Sequence, residues 1–203
     1  MKTVEGLRRD SRIVRLEAAL NSRSAVEVHA ASARRAAVAI IIRPGARDEP
    51  EVLFIQRAEY PGDPWSGHVA FPGGREETGD DSLVTTAIRE TREETGIDLD
   101  AGALLLGTLN DLRPQAVRLP KVIVRPFVFL APGSSEAIPG PEAPASFWVP
   151  LDELMNRLFW RDADVIAGGI TMQKPGFHHD HYVIWGMTER ILAEFVEALS
   201  SSR

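Results

Sequence analysis

The stretch Gly73-Gly74-Arg75-Glu76-Glu77-Thr78-Gly79-Asp80-Asp81-Ser82-Leu83-Val84-Thr85-Thr86-Ala87-Ile88-Arg89-Glu90-Thr91-Arg92-Glu93-Glu94-Thr95-Gly96-Ile97 carries more chemistry than any other part of the 203-residue chain. A Gly-Gly turn opens it, and a sharp bend there needs residues free of a Cβ. Ser82–Thr95 reads as a helix. Asp81 or Ser82 can cap its start, and Gly96 stands where a left-handed residue ends a helix. Glu90, Glu93 and Glu94 fall at i, i+3 and i+4, one turn apart on one face, where like charges disfavour an isolated helix by a few tenths of a kcal/mol per pair. Such a cluster calls for a cation, and oxygen donors without His or Cys suit Mg²⁺ or Mn²⁺. The alternative is a solvated acidic face balanced by Arg89 and Arg92. The Gly-Gly turn, the capped start and the Gly96 stop favour the cation site.

Outward from this segment, Ala36–Arg43 and Glu51–Arg57 read as strands joined across the Pro44–Pro50 loop. Tyr60–Gly74 is a loop dense in Gly and Pro that also holds Trp65, His68 and Phe71. Such loops are commonly shaped for binding. Leu104–Leu109, Val122–Leu130, Phe147–Val149, Val165–Met172 and His181–Trp185 are strand candidates, and residues 131–146 and 174–181 read as loops. Residues 3–20 form a helix in this reading, and Thr188–Leu199 a closing amphipathic one. Many strands with few helices predict an α/β (α+β) mixed β-sheet sandwiched between helices.

Composition narrows the function. There is no cysteine, so disulfides, thiolate-bound metals and thiol catalysis are excluded. No apolar run approaches the ~20 residues of a membrane span, and no secretory leader is visible, so a cytoplasmic protein is expected. The net charge of −6 argues against a nucleic-acid binder. That charge is not spread evenly. Arg75–Asp100 holds nine acidic and three basic residues, and the rest of the chain balances to zero.

The segment Arg89-Glu90-Thr91-Arg92-Glu93-Glu94-Thr95-Gly96-Ile97 resembles the second half of the Nudix box, G-x5-E-x7-R-E-U-x-E-E-x-G-U, with Thr91 at the first apolar position U. The first half departs, because one extra residue separates Gly73-Gly74 from Arg89-Glu90, and Asp80 or Asp81 stands where the box has its first Glu. That insertion resembles the coenzyme A pyrophosphatase-like subgroup. So do Gly67-His68-Val69-Ala70-Phe71-Pro72-Gly73-Gly74, Trp148-Val149-Pro150-Leu151 and Ile184-Trp185-Gly186-Met187-Thr188. The Arg and His that the subgroup carries before this Gly are replaced by Asp63 and Trp65.

The resemblance implies an N-terminal helical extension over 1–35 and a Nudix hydrolase domain over 36–203. It implies metal-dependent hydrolysis of a P–O–P bond in a nucleoside diphosphate derivative, with coenzyme A or an acyl-CoA as the subgroup substrate. ADP-ribose, a dinucleotide or an NTP is the alternative, as is a non-catalytic nucleotide-binding module. Glu90, Glu93, Glu94 and Arg89 would form the catalytic set. Glu90, Glu93, Glu94, Asp81 and Gly74 would hold Mg²⁺ or Mn²⁺, and Arg57, Trp65, Gly73 and His68 would meet the substrate. An isoprenoid-diphosphate isomerase of this fold is expected to need a Cys, which the chain lacks. The implied partners are a small-molecule nucleotide and, at most, a second copy in a homodimer, with no nucleic acid and no membrane. Core packing suits Phe71 better than substrate contact. His178-His179-Asp180-His181 is too compressed in sequence for a tetrahedral metal site.

Overall fold

The computed structural model describes residues 3–45, 49–63, 65–114, 121–167 and 170–201. The Pro44–Pro50 loop, the 58–70 loop, the Val165–Met172 strand and both chain ends therefore extend in part outside the described residues. The run of small and β-branched residues at 34–44 becomes the central strand β1 (Arg34–Pro44). Ile40, Ile41 and Ile42 are all fully buried. A strand buried on both faces reads as a continuous apolar run rather than an alternating one.

β1 is antiparallel to β2 (Pro50–Gln56) at its end and to β4 (Gly73–Arg75) at its start. On its other side it runs parallel to β6 (Val122–Leu130), with Arg34 opposite Val122 and Ile42 opposite Leu130. The sheet is completed by β3 (Val69–Ala70) and β7 (Ala145–Pro150) on β2 and by β5 (Leu104–Thr108) on β6. It is thus a mixed sheet with one parallel pair.

Alternation along β1 divides the core. Ala37, Ala39 and Ile41 face α3 (Leu83–Thr95) and pack with Leu83 and Ala87. Ala36, Ile40 and Ile42 face the other way, in a cluster with Leu7 of α1 (Val4–Leu7), Ile13, Leu16 and Leu20 of α2 (Ser11–Asn21), and Ile191, Leu192, Phe195 and Leu199 of α5 (Gly186–Ser200). The sheet therefore lies between helices, as the sequence reading expects. No helix among the described residues is long and apolar enough to cross a membrane.

Three readings of the sequence need correction, and one unassigned segment proves helical. The helix expected over 3–20 is two helices, because Asp10 leaves the helical path and accepts a bond from Arg12 N at 2.9 Å as the cap of α2. Leu151–Met155, which the sequence reading leaves unassigned, is a short helix α4. The strand read at Val165–Met172 spans parts of two, β8 (Trp160–Ala167) and β9 (Ile170–His179), which pair antiparallel. Its apolar run includes Gly168 and Gly169, which lie outside the described residues. The loop read at 174–181 is mostly β9, whose Lys174–His179 half pairs with β8 and β10 (Tyr182–Trp185) in a separate three-stranded sheet.

Candidate active site

The acidic helix α3 is built to be buried. Ser82 caps it, accepting from Thr85 N, and Gly96 ends it at φ 70°. Its sheet-facing positions include Thr86, Thr91 and Thr95, all buried. Thr86 gives its hydroxyl proton to Asp80 at 2.9 Å, and the other two return theirs to the helix. Thr91 donates to Ala87 O at 2.7 Å and Thr95 to Thr91 O at 2.6 Å. This explains how Thr91 fills an apolar position: its one polar atom is satisfied, so its burial leaves no unpaired group.

Glu94 shares that inward face. Its side chain is 3% exposed, against 13% for Glu90 and 52% for Glu93. The cluster is therefore not a uniformly solvated face. Glu94 Oε2 accepts from Gly73 N at 2.8 Å, and its Oε1 lies 3.8 Å from Arg57. Burial dominates these contacts and pushes its carboxyl up to about 7. Glu90 is raised for the same reason, with the adjacent Arg89 opposing the shift.

The Gly-Gly turn fits these carboxylates. Gly73 stands at φ 154° against β1, where a Cβ would overlap the Ala37 carbonyl. At Gly74 a Cβ would overlap the Glu90 carboxylate. Gly73 thus lets the turn press on β1, and Gly74 lets Glu90 approach bare backbone that a side chain would block.

Arg89 draws the rest together. Its Nη1 donates to Glu90 and Glu93 at 3.0 Å each, and its Nη2 to Arg75 O. Its Nε and Nη2 also grip both oxygens of Asp80 at 3.0 Å. Asp80 further accepts from Thr86 and from Glu77 N, and its side chain is 4% exposed. The Arg89 bonds hold the Asp80 carboxyl well below the usual carboxylate range. Asp81 is exposed and precedes the Ser82 cap. The carboxylate that meets the box arginine is therefore Asp80.

Among the described residues, no three His, Asp or Glu side chains are gathered closely enough to hold a metal as they stand. Arg89 accounts for this by bonding Glu90 and Glu93 to itself. The donor set nevertheless fits a hard divalent cation. It offers oxygen only, and burial raises the carboxyls of Glu90 and Glu94, a cost that a bound cation would offset.

The expected substrate residues are placed as follows. Arg57 sits between Asp63, at 3.1 Å, and Glu94, and its buried Nε has no hydrogen-bond partner among the described residues. Trp65 is partly buried against the core, with its N–H bonded to Asp63. His68 is half-buried with its ring 4.5 Å from that of Trp185, and burial lowers its pKa. Phe71 is core, packed on Phe54. The three histidines of 178–181 diverge. His179 bonds Glu153 at 2.6 Å and stacks on Phe147, His178 meets Arg161 O, and His181 packs on Tyr182.

Sequence reading missed Glu142. Its carbonyl accepts from Ala58 N at 2.9 Å, and its carboxylate is close enough to raise both Glu90 and Glu94. It lies in a Pro-rich loop with no periodicity, so no local signal marks it.

A mixed sheet between helices, with a Gly-Gly turn feeding a capped helix of inward carboxylates, defines a hydrolase of the Nudix class. The NUDIX domain model matches residues 33–168, and the chain belongs to that family. It is a Nudix pyrophosphohydrolase, acting on nucleoside diphosphate derivatives. Proteins described as uncharacterized Nudix hydrolase NudL from Yersinia pestis and Yersinia pseudotuberculosis are 32% identical over 171 residues, covering 84% of this chain and 82% of theirs. The solved MutT/nudix family protein from Enterococcus faecalis shares the fold at a TM-score of 0.52. It is 19% identical, over 88% of this chain and 64% of that one.

Proposed function

We propose that this chain cleaves the diphosphate of coenzyme A or an acyl-CoA with Mg²⁺ or Mn²⁺ bound at Glu90, Glu93 and Glu94. The observation that carries the metal site is Glu94, a carboxylate buried on the sheet side of α3 with one N–H bond and a raised pKa. In this reading Gly74 and Asp81 would supply further oxygen ligands to the cation. Bound there, the cation would offset charge developing on the phosphate oxygens. Arg89 holds Glu90 and Glu93 in place. Arg57, with an unused N–H, would turn from Glu94 toward a substrate phosphate. Glu94 Oε1, which has no hydrogen on it from Gly73, and the Glu142 carboxylate are the places where the attacking water's proton can be held.

The coenzyme A reading is supported by the convergence of two subgroup-like segments. The one ending in Phe71-Pro72-Gly73-Gly74 and the one around Trp185-Gly186 meet through the His68–Trp185 ring contact. Gly73, Trp65 and His68 then border the substrate. The same reading takes residues 1–35 as an extension of the domain, places the protein in the cytoplasm and includes a homodimer, which light scattering would test. Incubation with coenzyme A, ADP-ribose, dinucleotides and NTPs in Mg²⁺ or Mn²⁺, read by mass spectrometry, tests the activity. Coenzyme A should be cut at its diphosphate. Preferential cleavage of another substrate overturns the coenzyme A reading, and binding without cleavage of any overturns catalysis.

A further inference from the structure

On the opposite side of β4 from the carboxylates lies a cavity of about 390 Å³ lined by Ser32, Arg34, Arg75, Lys121 and Val122. Strand alternation separates the two places. Gly74 faces Glu90, so Arg75 points to the other face. The three cations come from three neighbouring strand ends held in register. Arg75 ends β4 opposite Ala36, Arg34 begins β1, and Lys121 immediately precedes β6, with its carbonyl accepting from Arg34 N at 2.9 Å.

Among the described residues, none of these three side chains has a carboxylate or other hydrogen-bond partner. The neighbouring Arg35 does pair, with Glu76 at 3.5 Å. A second cavity, at Arg23, Asn110 and Glu194, shows the contrast, since its cation is already bonded to Glu194 at 2.8 Å. Two guanidinium forks and an ammonium, all exposed, thus line one cavity of an acidic protein without a carboxylate partner among the described residues. Forked guanidinium groups match tetrahedral oxyanions, and the volume falls in the range of about 300–1,000 Å³ typical of ligand pockets.

We propose that this pocket binds a phosphate group, at a site separate from the acidic helix. The phosphate is either a monoester carried by the substrate at a distance from its diphosphate or free inorganic phosphate. Substrate-borne phosphate rests on the coenzyme A reading, and the binding of phosphate itself does not.

The test pairs titration with kinetics on the full chain, wild type and Arg34→Ala/Lys121→Ala, two exposed positions outside the catalytic set. Arg75→Gln serves as an independent second variant, and folding is verified by thermal melts. Calorimetry with inorganic phosphate, in EDTA and low salt, should show binding that weakens about tenfold or more in each variant. A KM for coenzyme A that also rises in the variants, with KM unchanged for the analogue lacking the 3′-phosphate, assigns the pocket to substrate. Weakened phosphate binding with both KM values unchanged assigns it to free phosphate. Either result supports the site. Equal phosphate binding by wild type and variants, or none by wild type, overturns it. Because the titration needs no metal and no turnover, a failed substrate screen and a failed pocket are read separately.

Discussion

Asp80 and Glu94 are both nearly inaccessible carboxylates of one site, yet their protonation is driven in opposite directions. Asp80 receives a two-pronged grip from Arg89 plus a hydroxyl and an N–H, so ionisation is favoured. Glu94 has one backbone N–H and an arginine 3.8 Å away, and desolvation wins. Burial alone therefore does not determine what a carboxylate is for. The satisfied one serves the architecture by anchoring Arg89, while the frustrated one holds the unmet demand for positive charge.

The comparison can be broken most decisively at Glu94. Glu94→Gln should reduce kcat by about 10³-fold or more, since it removes a proposed metal ligand that is also a candidate base. The same change should stabilise the metal-free protein at pH 8 by roughly 1–3 kcal/mol in urea denaturation. An inactive variant that is also less stable would contradict the frustrated-carboxylate account.

The pH dependence follows from the same shift. Glu94 rises from an ordinary 4.5 to about 7, so the folded state prefers its protonated form. Its stabilising contribution is complete below the unfolded value and is lost as pH climbs through about 7. Metal-free wild type should thus lose about 2 kcal/mol across that window while Glu94→Gln does not, and Mg²⁺ should raise the melting temperature more at pH 8 than at pH 6.

Asp80→Asn should act the other way, lowering stability at pH 7 by about 2–3 kcal/mol because Arg89 keeps its charge and loses its best partner. That loss should fade as pH falls below the usual aspartate range, where wild-type Asp80 also takes up its proton. Asp81→Asn should be the mildest, with stability within about 0.5 kcal/mol of wild type and activity within a few-fold. An effect at Asp81 as large as at Asp80 would show that the geometry at the helix start has been misread.

Much of this was legible in sequence because it is local. The Ser82 cap, the Gly96 stop, the central apolar strand and the i, i+3, i+4 carboxylates all follow from spacing. What was illegible depends on reach through space. Choosing Asp80 over Asp81 required knowing where the Arg89 fork ends. Strands of two and three residues at Val69–Ala70 and Gly73–Arg75 are hidden in a Gly- and Pro-rich loop because their pairing is supplied by β2 and β1. Glu142 is brought to the carboxylates by a backbone bond to Ala58, and Arg34, Arg75 and Lys121 meet only because three strands share a register.

The parallel pairing of β1 with β6 also governs time. Joining these strands closes a loop that contains β2, β3, β4, α3 and β5, so the acidic helix is enclosed by a contact between parts of the chain distant in sequence. Contacts of that kind are slow to form. If a divalent ion binds the closed cluster as proposed, it should slow unfolding while leaving the folding rate unchanged.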